Sequence, residues 1–498
     1  MVTRNTVSPV LNAAIGCLIG FYVLSKISFG MKSIVGLIFL VLICLVQVII
    51  KFPINNTGVN ICNTKLFFRY LISFAIGICI GLCSSENVNN KLNFGIPKEN
   101  IRTINGILLE DPREYSEGRI IANVKLINVI GDKKQKINAN GELNIYFPQI
   151  NNKRLKEFGR GCYISCDGII KETNFGNIVF ISKSLHIIKH ASHFEQFRTN
   201  IRNIITMRFN SNELKINWSG LSLALLLGIK DNLDINIAGL YRDAGCSYIL
   251  ALSGMHLTII SAIIAFIFKR PLGKRASAIS SIILIICYCI LVGPMPSLYR
   301  AVIMYIIGIF AVLNDLKKEA LILLCMAFII QIIITPQSGY SVSFILSYLA
   351  LAGILILGDY IIVLFRGKVP EYLLGPLSAS IGAFIFSAGI TAYYFDILRP
   401  IGIVTGLIVI PLTTIFMIGS IIWLLFDYTI PLFSVQFSKI LSVIYKTMEK
   451  IVYTAGKAPG LNINSVLFVI LVSIGLITII TISTYRINIW KKQIPNLI

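Results

Sequence analysis

The chain has 498 residues, 55% of them hydrophobic and only 14% charged, with a mean hydropathy of +0.78. That composition excludes a soluble enzyme carrying an anchor and describes a polytopic membrane protein. Lys and Arg number 45 against 23 Asp and Glu, a formal net charge of +22; part of this excess orients helices through loop charge, and the rest suits a conduit for a polyanion.

In chain order, residues 7–28, 31–51 and 65–84 are apolar runs. The first is no signal peptide, because it has one flanking charge, Arg4, no small-residue cleavage site, and further spans directly after it. Gly16/Gly20 and Gly77/Gly81 are small pairs at four-residue spacing, suited to close helix packing in lipid. The eleven cysteines fall mostly in apolar runs, where they act as small hydrophobes.

From 85 to 191 charges become frequent, and five β-type runs (IRTINGILL, RIIANVKLINVI, GELNIYF, GCYISCDGII, NIVFISKSLHII) are separated by turn residues such as Glu110-Asp111-Pro112 and Gly131-Asp132. Five strands in this length predict a small Greek-key barrel of OB type. Phe147, Tyr163, Phe175 and Phe180 suit either base stacking or, more simply, the barrel core. Cys162 and Cys166 share a strand face about 13 Å apart, too far for a bridge. His186, His190 and His193 straddle the end of the last strand with no carboxylate or Cys at matching spacing, so neither a metal nor a cofactor is expected. Phe194, Phe197, Ile201, Ile204 and Ile205 then recur at helical spacing among Arg198, Arg202 and Arg208, which predicts an amphipathic helix on the membrane surface within 192–217.

The stretch 223–257 organises the remainder. It begins as an apolar run too short to cross a bilayer and breaks at Gly228. It then passes Lys230, Asp231, Asp234, Arg242 and Asp243, and re-enters apolar sequence carrying Ser253, Gly254 and His256. Half-length apolar pieces broken by Gly and charge line pathways or sites in membrane proteins. Further spans follow at 273–293, 297–314, 318–335, 339–365, 373–396, 400–426, 431–456 and 464–484. Threading them in order puts four basic clusters on one side, hence cytoplasmic: 269–275, Lys317/Lys318, Arg366/Lys368 and Arg486/Lys491/Lys492. Arg4, Lys51, Lys65 and Arg69 agree, with Lys26 and Lys32 against, so the barrel faces outward. Ser253 and His256, 294–300, 340–343 and 396–399 then collect near the outer helix ends, as at a pathway entrance.

These segments together resemble the ComEC-type competence proteins, inner-membrane channels that take up single-stranded DNA in natural transformation. The resemblance rests on LLLGIKDNL, AGLYRDAGCSYILALSGMHL, PSLYRAVIM, TPQSGYSVSFILSYLALAGIL and YYFDILRPIGIVTGLIVIPLTT, in the family's order. Two positions depart from the family pattern: Ser341-Val342-Ser343-Phe344 replaces Gln-Leu-Ser-Phe, and Gly406 replaces an Asn. Each replacement removes a side-chain amide from the implied pathway. Many members also carry a C-terminal metallo-β-lactamase-like domain, whose His-x-His-x-Asp-His pattern this sequence lacks.

The expected architecture is a polytopic α-helical membrane protein of about 11–12 spans with an inserted, outward-facing OB-like barrel. Its segments are 1–84 (three helices), 85–191 (barrel), 192–217 (interfacial helix), 218–484 (channel domain) and 485–498 (basic tail). The resemblance implies a single-stranded DNA channel with no catalytic or metal residues. Candidate pathway residues are Lys230, Arg242, Asp243, Ser253, Gly254, His256, Arg300, Ser341, Ser343, Asp396, Arg399 and Pro411. Lys133, Lys134, Lys136, Lys153, Arg154 and Lys156 are candidate vestibule contacts. No phosphate-binding Gly-rich loop is present. Implied partners are therefore DNA, membrane lipid, a cytoplasmic helicase or ATPase motor, an external DNA-delivery protein, a separate nuclease and a second copy in a homodimer. The alternatives are an intramembrane hydrolase using Ser253 and His256, which share a helix face, and an inactive channel homologue.

Overall fold

The computed structural model describes residues 9–24, 61–88, 93–116, 119–132, 135–147, 159–172, 178–210, 217–252, 254–316, 319–463, 465, 468–469 and 471–479. The expected span at 31–51 lies outside them, as does much of 464–484. The described residues fall into two compact units, one within Met1–Asn89, Tyr299–Ile403 and Gly460–Ile498, the other within Asn90–Leu298 and Val404–Pro459. In chain order the helices are α1 (Pro9–Leu18, continued by a π turn at Ile19–Val23), α2 (Ile61–Val88), α3 (His193–Phe209), α4 (Ser219–Leu227), α5 (Ile235–Asp243), α6 (Gly254–Val292), α7 (Pro296–Leu313), α8 (Ala320–Ile334), α9 (Val342–Phe365), α10 (Glu371–Phe395), α11 (Ile401–Thr429) and α12 (Pro431–Gly456). Strands β1 (Ile101–Leu108), β2 (Arg113–Ser116), β3 (Arg119–Gly131), β4 (Lys136–Asn138), β5 (Glu142–Phe147), β6 (Tyr163–Glu172) and β7 (Ile178–Lys189) lie between α2 and α3.

Among the described residues, five helical segments are long and apolar enough to cross a membrane: Arg275–Val292, Pro296–Leu313, Val342–Phe365, Glu371–Phe395 and Ile401–Thr429. Pro9–Val23, Tyr70–Ser85, Gly254–Ile264 and Ala320–Ile334 are shorter apolar helices. The chain is a multi-pass membrane protein with an inserted β-barrel. Within α6 the axis breaks at Gly273, whose φ of +72° is open chiefly to glycine. The run 431–456 does form the helix α12, but Lys439, Lys446, Glu449 and Lys450 keep it out of the apolar set.

The barrel closes through five strands in the order β1–β6–β7–β5–β3 and back to β1, with β5 and β7 parallel and the other pairs antiparallel. That is the OB topology expected from the five β-type runs. β2 and β4 add short hairpins to β3. Alternation sends Ile104, Val124, Ile145, Ile164 and Phe180 inward, each essentially without exposure. Phe147 and Phe180 therefore belong to this core and are unavailable for base stacking; Tyr163 is half-buried. Phe175 is outside the described residues. Cys162 and Cys166 are free thiols in the same core.

The barrel-bearing unit has a second core around Phe209, Trp218, Tyr241, Phe416 and Trp423, all nearly inaccessible. Trp218 and Trp423 meet edge-to-face at 5.2 Å, and Phe209 lies 5.0 Å from Trp423. Such pairs add about 0.5–1.5 kcal/mol each beyond burial. The Trp423 indole donates to the Ser434 carbonyl at 3.2 Å, which ties α11 to α12.

In the other unit α1 and α2 cross at the two glycine pairs. A Cβ at Gly16 would strike the Phe74 carbonyl, and one at Gly77 would strike that of Ala13. The expected small-residue packing is thus realised. Gly353 of α9 and Gly382 of α10 meet backbone to backbone in the same way. Strands β8 (Ile397–Leu398) and β9 (Leu461–Asn462) pair antiparallel and close a loop containing α11 and α12.

Candidate functional site

The broken segment lies in the barrel-bearing unit. Nine residues of α4 extend about 14 Å, far less than the roughly 30 Å hydrocarbon core, and every residue from Gly220 to Leu227 is buried. Gly228 stops the helix with φ +69°, and its N–H returns to the Ala224 carbonyl at 3.2 Å. Leu233 N–H closes a turn on the Lys230 carbonyl at 2.9 Å, and the Asp234 carboxylate caps α5 by accepting from Asn236 N–H at 2.9 Å. Gly245, at φ +72°, then turns the chain into a 3-10 turn at Ser247–Leu250 before α6. The Leu252 carbonyl accepts from the Ser297 hydroxyl, which fixes where the chain re-enters helix. A backbone of this kind survives at membrane depth only when packed in protein or lining a wet cavity.

Of the predicted residues here, Lys230 and Arg242 are exposed, and Arg242 lies 3.6 Å from the Asp243 carboxylate. Gly254 opens α6 and His256, two residues on, is fully buried. Ser253 lies outside the described residues, as do Lys133, Lys134, Lys153, Arg154 and Lys156. Lys136 is exposed on β4. Pro411 sits exposed inside α11, where it removes one helical N–H.

In the other unit Arg300 is 7% exposed and reaches neither solvent nor lipid. Its guanidinium donates to the Ser347 carbonyl and lies over the Tyr348 ring, 5.7 Å from the centroid. Tyr348 in turn donates to Gln331 at 2.9 Å. Ser341 caps α9, accepting from Phe344 N–H at 3.2 Å, while Ser343 is exposed. Asp396 ends α10 at φ +58°, and its carbonyl accepts from Ile463 N–H at 2.9 Å; Arg399 lies against Gly460.

The two departures acquire local reasons. A Ser at position 341 is a good helix cap, which a Gln would not be. At Gly406 a Cβ would come 2.5 Å from the Tyr248 hydroxyl, so this chain places a phenol where the family carries an amide.

A further network had no counterpart in the sequence reading. Asp111 accepts from Arg198 at 2.5 Å and from Arg160 N–H at 3.1 Å, with Arg202 at 3.6 Å from its second oxygen. Arg198 also pairs with Glu195 at 2.7 Å. Arg202 donates to the carbonyls of Leu291 and Val292 at 3.0 and 2.6 Å, the end of the span Arg275–Val292. The barrel, α3 and a membrane helix are thereby clamped together. Burial alone would push the Asp111 carboxyl up. Arg198 and Arg202, with the Arg160 N–H, outweigh that and hold it below the ordinary aspartate value. Arg198 is 3% exposed, so it is no lipid-phosphate contact; α3 instead exposes Phe194, Phe197, Ile204 and Met207. The only sequence signal was the spacing of Arg198 and Arg202, which is equally that of a solvated face.

Among the described residues no group of three or more His, Cys, Asp and Glu is arranged to hold a metal ion. His186 and His190 belong to or follow β7, whereas His193 opens α3.

Fold and site define a multi-pass membrane protein that joins an OB barrel to a domain with a broken, protein-packed helical segment. Residues 225–488, more than half of the chain, match the family described as competence protein, and the chain belongs to that family. It is 23% identical to ComE operon protein 3 of Bacillus subtilis (strain 168) over 236 residues, covering 46% of this chain and 30% of that one. An uncharacterized protein of Aquifex aeolicus (strain VF5) is 22% identical over 260 residues, covering 52% of this chain and 60% of the other. The matches thus span under two thirds of either relative's length.

Proposed function

We propose that the protein is a conduit for single-stranded DNA across the bacterial inner membrane in natural transformation. Membership of the competence family supports the process. The observation that carries the conduit is the break between α4 and α6. There a helix too short to span ends at Gly228, and the polar stretch 229–234 follows it within a domain of apolar spans. Such irregular backbone is what a polar pathway through a bilayer requires. The OB barrel suits an outer vestibule, oriented outward by the basic loops, with the C-terminus cytoplasmic. The exposed apolar face of α3 suits the membrane surface beneath the barrel. Pulling falls to a cytoplasmic motor or the membrane potential. Delivery of DNA falls to an external protein, removal of the second strand to a separate nuclease, and a second copy of this chain is the partner in a homodimer.

The test is replacement of the channel of a transformable host by this chain. Recovery of transformants above the deleted strain is expected. A chain that inserts at the parent channel's level and recovers none refutes the proposal. A reporter fused after Asn488 that is active only in the periplasm refutes the orientation.

A further inference from the structure

We infer that the exposed lysine stripe of α12 and its C-cap, namely Lys439, Lys446, Lys450 and Lys457, faces water inside the membrane and tracks the phosphates of the transported strand. The inference rests on the conduit reading and adds its electrostatic lining, at residues the sequence reading passed over.

Connectivity requires α12 to cross. The chain leaves β8 at Leu398, enters the apolar span Ile401–Thr429, and turns at Ile430 into α12. By Leu461 it is hydrogen-bonded back to Leu398. A chain that crosses the bilayer from a point and returns to it must cross twice. α12, 26 residues and about 39 Å long, is the only helix between Ile430 and that pairing.

Its composition is wrong for lipid. Positions 439, 446, 450 and 457 fall within about 40° of one another at 100° per residue. They form a stripe about 27 Å long, close to the hydrocarbon thickness of roughly 30 Å. All four are exposed, with Gln436, Thr447 and Thr454 exposed on one side and Val435, Val443 and Tyr453 also exposed along the stripe. The opposite face carries Ser434, Leu441, Met448 and Val452, each at most 1% exposed and packed in protein. Lys446 and Lys450 lie well inside the helix, more than one turn from either end, where a lysine cannot reach both headgroup layers. Charges in the middle of a span face a water-filled path or a partner. Lys439, Lys446 and Lys450 make no ion pair among the described residues. A row of unneutralised ammonium groups with interleaved hydroxyls and an amide suits a polyanion read through its backbone, without base selectivity.

The experiment uses the full chain in membranes. Lys439→Cys, Lys446→Cys and Lys450→Cys are treated one at a time with a membrane-impermeant maleimide, and the modified site is located by mass spectrometry. Ile415→Cys, on the apolar span and 55% exposed, is the lipid-facing control. All three lysine positions should be modified and the control spared, and a single-stranded oligonucleotide should protect them. In the detergent-solubilised chain, Lys439→Gln/Lys446→Gln/Lys450→Gln should flatten the slope of log affinity against log salt by about 2, at about 0.7 per single-strand phosphate. Modification of Lys446→Cys no greater than the control overturns the inference, as does labelling confined to the helix ends, which marks lipid-headgroup contact. Labelling without protection, with an unchanged slope, overturns the ligand. If the parent restores transformation and the triple variant does so equally, the stripe alone is refuted. If the parent restores none, the conduit reading fails with it.

Discussion

Removing the Asp111 carboxylate should release the barrel from its membrane helix. In Asp111→Ala, Arg198, whose side chain is 2% exposed, keeps only Glu195 as a carboxylate partner, and Arg202 loses the Asp111 carboxylate while keeping the carbonyls of Leu291 and Val292. Deleting one partner of a buried pair costs about 3–5 kcal/mol, and the 26% exposure of Asp111 argues for the lower figure, about 3 kcal/mol. At about 1.4 kcal/mol per tenfold, opening of the clamp should become about a hundred times more frequent. Hydrogen exchange on the detergent-solubilised chain reads this directly: the amides of α3 should exchange about a hundredfold faster, and those in the middle of β1 and β3 should not. Asp111→Asn keeps the shape and one acceptor and should fall between. The pH dependence has a definite sign. Because the folded carboxyl is held below its ordinary value, its contribution is complete above the unfolded pKa of about 3.9 and is lost as pH falls through the folded value. The clamp should therefore be indifferent to pH between neutrality and about 5 and loosen in stronger acid, a loss that Asp111→Asn should not show. Equal α3 exchange in parent and Asp111→Ala would refute the reasoning.

Arg300→Met preserves bulk while removing a buried charge, so thermal stability in detergent should hold or rise. Uptake should nevertheless collapse if the guanidinium serves the pathway; transport at the parent's level at equal protein abundance would make Arg300 a packing residue only. Gly77→Val drives a side chain into the Ala13 carbonyl and should separate α1 from α2, seen as new protease cleavage within residues 9–24. Gly406→Asn should displace the Tyr248 hydroxyl and reduce transformation, and pairing it with Tyr248→Ala should restore part of the loss; equal defects in the single and double variants would break the link between the two positions. Reduced and oxidised protein should melt alike, and Cys162→Ser and Cys166→Ser should not change that, because the two thiols form no disulfide in the barrel core.

Strong periodicities made much of this protein readable in advance. Alternation in the five β-type runs sends one residue in two into a core, so the strands were legible and their number argued for closure. The apolar runs from 273 to 426 became helices because lipid leaves a backbone no other way to satisfy its polar groups. Gly16/Gly20 and Gly77/Gly81 were legible as contacts because only glycine permits such approach. Other features depend on partners distant in sequence, and there the tertiary structure decided. Phe147 and Phe180 read equally well as stacking platforms or core until the barrel closed over them. Arg198 and Arg202 read as the polar face of a membrane-surface helix because nothing local signals that Asp111 and the carbonyls of Leu291 and Val292 will meet them. The contacts of Arg300, a pathway candidate, were hidden in the same way, because Ser347 and Tyr348 lie on another helix. The sequence placed 431–456 among the spans, although its lysines keep the helix α12 out of the apolar set. The pairing of Leu398 with Leu461, distant in sequence, is the observation from which we infer a crossing, and on that inference an ordinary solvated lysine face becomes charge at membrane depth.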